Sequence, residues 1–135
     1  MKKFKSIVLL GTMCIAILVV ATGFTYGLAR VNGYCESGNL NPFKSDRVRT
    51  DTYGLTEQKL VATATLQYFD EDIDEYVTQG SKSVTKNYGE SGGVADTGWY
   101  ESNQDDGFNI RNSYYGAIYN SDGTINFSLS DKVYE

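Results

Sequence analysis

Histidine is absent from all 135 residues, proline and tryptophan occur once each, and cysteine only twice. Without an imidazole the commonest general base and the commonest zinc ligand are both missing. Ser-His-Asp and Cys-His catalysis are therefore excluded. Two carboxylates across a cleft would suffice for glycoside hydrolysis, but no acidic pair stands out in so short a chain, and the protein is expected not to be an enzyme. Cys14 sits inside an apolar run behind Met13 rather than at its end behind a small residue, which argues against lipid attachment. Cys35 is the only thiol beyond that run, so no internal disulfide is available to the body of the protein. Two readings of Cys35 remain: a tolerated thiol, or the link of a disulfide-joined dimer.

Charge is also missing from one long stretch. Lys2, Lys3 and Lys5 precede the 24 uncharged residues Ser6 to Ala29, whose centre from Ile7 to Val20 is almost wholly apolar. A basic start, an apolar middle and small residues at Ala21, Gly23, Gly27 and Ala29 form the pattern of a secretory signal cut after Gly23 or Ala29. As a helix, the same stretch would span about 36 Å, enough for a hydrocarbon core of about 30 Å. Residues 1–29 are thus expected to be a signal peptide, with a membrane anchor helix as the alternative. In either case the lysines stay inside and the body is delivered outside. The expected location is secreted or on the extracellular face of the membrane, with membrane contact only through this segment.

Removing three of the 12 basic residues while keeping all 17 acidic ones takes the net charge from −5 to about −8. No basic stripe survives, so nucleic acid is not an expected partner. The remaining 106 or so residues suit one domain.

Residues 30–56 are rich in Gly, Asn, Ser and charge and hold Pro42, which predicts a flexible arm or linker. Within it Arg47 to Tyr53 has the makings of a short strand. The β-domain is expected over 57–135. Leu60, Ala62, Ala64, Leu66 and Tyr68 alternate with Thr63, Thr65 and Gln67, the pattern of a half-buried strand. An acidic turn and a second strand broken at Gly80 follow, completing a predicted hairpin. Gly89 to Gly93 reads as a loop and Val94 to Glu101 as a third strand. Phe108, Ile110, Tyr114, Gly116 and Ile118 share one parity. Asn120 to Gly123 then supplies a hairpin turn, and Ile125, Phe127 and Leu129 form the inward set of the return strand. The predicted fold is all-β, a small antiparallel sandwich or barrel of about five to six strands behind an N-terminal apolar helix.

Asp70, Asp72 and Asp74 alternate as hard oxygen ligands do in calcium loops. Glu75 stands where the helix-loop-helix motif needs Gly, and Ser81 where it needs Glu, so at most a weak calcium site is expected, with a solvated turn as the simpler reading. No other cofactor is expected. Gln104 to Gly107 has turn composition. Trp99-Tyr100 and Tyr114-Tyr115 each send one ring inward and one outward by strand alternation. Tyr100, Tyr115 and Tyr119 are the candidate exposed aromatic face for a protein or glycan partner, with ordinary cross-strand pairing as the alternative.

The stretch from Ser83 to Trp99, with Ser-Val, Asn-Tyr-Gly and Gly-Trp, resembles in turn composition the middle of lactococcin-972-type secreted bacteriocins, although the basic, His-bearing character of that group is missing. Three expectations follow for function. The first is a non-enzymatic binding domain of the bacterial envelope or exterior. The others are a secreted bacteriocin-like antagonist and a structural envelope subunit.

Overall fold

The computed structural model describes residues 29–38, 45–90, 92–102 and 109–135. The apolar N-terminal segment, Cys14, Pro42, the Gln104 to Gly107 turn and Phe108 lie outside them. Among the described residues there is no helix long and apolar enough to cross a membrane.

The described residues form eight strands: β1 (Arg30–Glu36), β2 (Arg47–Tyr53), β3 (Lys59–Asp70), β4 (Glu75–Lys86), β5 (Val94–Asp96), β6 (Tyr100–Glu101), β7 (Ile110–Tyr119) and β8 (Ile125–Tyr134). They form two four-stranded antiparallel sheets and no closed barrel. In one sheet β2 is flanked by β1 on one side and by both β5 and β6 on the other. The other runs β4-β3-β7-β8. The predicted β class holds, while the strand number rises from five or six to eight. One added strand, β1, comes from the segment expected to be an arm, where it pairs with β2 from Arg30↔Tyr53 to Glu36↔Arg47. The short strand expected over Arg47 to Tyr53 is β2 itself, and the third strand expected over Val94 to Glu101 is split into β5 and β6.

The sheets stack face to face around two small apolar clusters. Val48, Ala64, Leu66 and Ile110 make one, with Cys35, Tyr68 and Tyr100 against it. Leu60, Ala62, Ala95 and Ile118 make the other, with Ala29, Val84 and Phe127. The alternation on β3 therefore points its Leu and Ala residues inward, as the sequence predicts. Between the clusters lies a polar belt of Thr50, Thr52 and Asn112, all fully buried. Burying such groups unpaired would cost free energy, and here each is paired. Asn112 Nδ2 donates to the carbonyls of Tyr34 (3.1 Å) and Arg49 (2.9 Å) on the opposite sheet, while its Oδ1 accepts from Thr65 N (3.0 Å) on its own. Thr52 Oγ1 donates to the Val61 carbonyl across the gap at 2.8 Å, and the N–H of Thr50 goes to Thr97 Oγ1 at 3.0 Å.

Two irregularities set which side chains face out. Leu66 pairs with Gly80 but Gln67 pairs with Thr78, so Gln79 is the extra residue of a bulge in β4. On β8, Ile118 pairs with Phe127 and Tyr119 with Ile125, leaving Asn126 as a second bulge. That bulge overturns one expectation. Phe127 and Leu129 keep their inward parity, whereas Ile125 is reversed and 58% exposed, because one inserted residue switches every side chain before it to the other face.

Candidate functional site

The two outer faces of the stacked sheets differ in kind. On the outer face of the β1-β2-β5-β6 sheet the charges neutralise one another. Arg47 donates to Glu36 through Nε (2.9 Å) and Nη2 (2.7 Å). Arg49 donates through Nε to Asp96 (2.9 Å) with a second arm on the same carboxylate, and also lies near Asp51. Asp51 is buried beneath this network and accepts from Asn32 Nδ2 at 2.8 Å. The Tyr34 phenol is pushed up by its burial and then by the Asp51 charge and hydrogen bond. Burial alone would raise Asp96, but hydrogen bonds from Arg49 and Gly98, with the nearby Arg49 and Lys82 charges, hold it below the usual carboxylate range. These residues are occupied with each other.

The outer face of the β4-β3-β7-β8 sheet is built otherwise. No described element packs on it, and cross-strand register arranges its side chains in rows. Its middle is hydroxylic: Thr65 has Ser81 beside it on β4, while Ser83, Thr63, Tyr115 and Ser130 line up over all four strands. Thr63 Oγ1 and Ser83 Oγ lie 2.7 Å apart. β-branched and hydroxyl side chains suit the solvated face of a central strand.

Aromatic rings bound this hydroxyl field at both ends. At one end Tyr115 and Tyr119 stand two pleats apart with the fully buried Ala117 between them. The Tyr115 phenol is raised by burial first, then by its hydrogen bond with Tyr119 and the charge that Tyr119 would carry. Lys59 Nζ lies 4.6 Å from the Tyr119 ring centre. At the other end the Arg111 guanidinium rests 3.8 Å from the Tyr76 ring and 5.8 Å from that of Tyr134, with Phe69 edge-on to Tyr76 at 5.2 Å. Arg111 Nε donates to Gln67 Oε1 (2.7 Å) and Nη1 to the Tyr134 hydroxyl (3.1 Å). Cation–π contact and these hydrogen bonds fix the guanidinium without a carboxylate.

Of the three candidate aromatic residues, the structure brings Tyr115 and Tyr119 together and separates Tyr100 from them. Tyr100 belongs to the other sheet and packs inward against the Val48 cluster, its hydroxyl donating to Gln79 Oε1 at 3.2 Å. Trp99 is the outward member of that pair, with Arg47 at 4.3 Å from its ring. Phe69, Tyr76, Arg111 and Tyr134 were not singled out from the sequence. They lie on four strands, and only strand pairing joins them.

Asp70, Asp72 and Asp74 do not converge. Asp70 ends β3 and its Oδ1 accepts from Asp72 N at 2.9 Å, which closes the turn, and Asp74 adopts a left-handed φ of 59°. Among the described residues no group of three Cys, Asp or Glu is placed to hold a metal ion. The disulfide-linked dimer expected as one reading of Cys35 is corrected as well. Among the described residues no second sulfur lies near disulfide distance of Cys35, whose side chain packs against the Val48 cluster. Burial, followed by the Glu135 and Asp46 charges, pushes its thiol up to about 12, which leaves little of the thiolate that disulfide exchange requires.

No protein-family model matches the chain, and no curated protein matches it.

Proposed function

We propose that this chain is an exported, non-enzymatic binding protein of the bacterial envelope or exterior, and that it holds its partner on the outer face of the β4-β3-β7-β8 sheet. The observation that carries this reading is the composition of that face: hydroxyl rows between two sets of rings, uncovered by any described element. Tyrosine offers a large apolar contact with a polar tip at small entropic cost, and Ser and Thr add hydrogen bonds that adapt to a partner. Tyr134 remains 53% exposed. On the opposite outer face Arg47 and Arg49 are tied into ion pairs and offer less to a partner. Export is supported by the lysine-led apolar segment.

Co-sedimentation of the purified full chain with isolated host cell walls tests the proposal. Tyr115→Ala combined with Tyr119→Ala, and separately Tyr134→Ala, should reduce the bound fraction several-fold while leaving the melting midpoint within a few degrees of the parent. Unchanged sedimentation of both variants would show that the face is not the contact surface.

A further inference from the structure

Charge divides unevenly over the molecule. The chain carries 17 acidic and 12 basic residues, yet none of the outward positions on β3, β4, β7 or β8 holds a carboxylate. The acids on those strands turn elsewhere: Asp70 and Glu75 pair at the end of the hairpin on the opposite side of the pleat, and Asp131 pairs with the inward Tyr114. Lys59, Arg111 and Lys132 do face outward. None of them stands among the ion pairs of the described residues, which all belong to Arg47 and Arg49 on the other sheet. An acidic protein thus has one sheet face with cations only.

Such a partition matters at short range. With a Debye length of about 8 Å at physiological ionic strength, acids on the far side of the sandwich are screened from a ligand lying on this face, while Lys59, Arg111 and Lys132 act on it directly. Arg111 is the most specific of the three. Its guanidinium is oriented by two rings and by Gln67, and a planar fork matches a carboxylate better than a point charge does. From Arg111 to Tyr119 the face runs about 27 Å along β7, a length that an extended polymer fills.

We infer that the ligand of this face is an acidic polysaccharide, with carboxylates at Arg111 and Lys132, sugar rings stacked on Tyr115, Tyr119 and Tyr134, and sugar hydroxyls on the Ser and Thr rows. The inference rests on the binding face proposed above and adds the class of its ligand.

The test uses the full chain, purified in mild detergent, and two forms of one polymer: polygalacturonate and its fully methyl-esterified counterpart, which differ only in charge. Polygalacturonate should bind at least about tenfold more tightly. Lys59→Gln, Arg111→Gln and Lys132→Gln together should remove about that factor. Because Arg111→Gln disturbs a ring cluster, the exposed Lys132→Gln is measured alone as well, with a smaller loss in the same direction. Rising salt should weaken the acidic polymer and not the ester. Equal affinity for both polymers overturns the inference; if that equal binding is lost in the Tyr115→Ala/Tyr119→Ala variant, the face stands and only the ligand class falls. Tighter binding of a poly(glycerol phosphate) than of polygalacturonate overturns the carboxylate assignment. Failure to retain either polymer also overturns the inference, and the cell-wall sedimentation of the tyrosine variants then decides whether the face falls with it.

Discussion

The ring of Tyr114 lies across the α-carbon of Gly33, so closely that a Cβ at residue 33 would overlap the ring. Gly33 is on β1 and Tyr114 on β7, so the contact joins the two sheets. A second contact mirrors it: Tyr100 of the first sheet lies over Gly80 of the second. Each sheet thus supplies a ring and a notch.

Gly33→Ala should destabilise the domain by about 1–3 kcal/mol, the usual cost of overpacking a close contact. Chemical denaturation measures it. Combining it with Tyr114→Ala should recover part of the loss relative to the sum of the single changes, since the added methyl then has room. Strict additivity of the two would show that the ring and the glycine are energetically independent.

Asn112→Ala should cost about 3 kcal/mol, because it strands buried backbone groups of Thr65, Tyr34 and Arg49 rather than merely removing one bond. Hydrogen exchange at the Thr65 amide, whose acceptor is the Asn112 side chain, should accelerate more than exchange along the rest of β3. An amide at Thr65 as protected as before would mean that another acceptor serves it.

Acid should weaken the Arg49–Asp96 pair. Asp96 has a folded-state pKa below its ordinary 3.8, so its contribution is fully present above that value and is lost as pH falls through the lower, folded one. The side chains are partly exposed, and the effect is about 1 kcal/mol or less. Melting midpoints from pH 6 to pH 2 should fall less steeply for Asp96→Asn than for the parent, and the two curves should converge at the acid end.

Cys35 should be a slow thiol. With its pKa pushed up to about 12 from 9.0, native alkylation at pH 8 should be at least about a hundredfold slower than that of an ordinary cysteine. Mass spectrometry of the Cys35 peptide checks this. Unfolding in urea should restore the ordinary rate, and non-reducing gels should show no dimer that reductant converts to monomer.

Much of the strand order was legible because its determinants are local. The period-two pattern of Leu60 to Tyr68, the acidic turn after Asp70 and the Asn120 to Gly123 turn each lie within a few residues, and each gives the hairpin expected of it. The Gly123 φ of 90° is what that turn requires. β1 was hidden for a local reason too: Val31, Gly33 and Cys35 make a poor apolar face, and the strand is held by pairing with β2 and by the Tyr114 ring. Tyr100 was misplaced because adjacent rings tell which two alternate, not which of them faces in.

Sequence alone determined that the chain has no histidine chemistry and has a body of short alternating strands joined by Gly, Asn and Asp turns. Tertiary structure decided the rest. Stacking of the sheets chose Thr50, Thr52 and Asn112 as interior residues and satisfied them with groups as far away as Tyr34, 78 positions from Asn112. A bulge at Asn126 turned Ile125 outward. Register brought Lys59, Arg111 and Lys132 onto one carboxylate-free face. Alternation and turn chemistry act between neighbours in the chain, whereas register, bulges and sheet stacking depend on pairing between segments far apart in it.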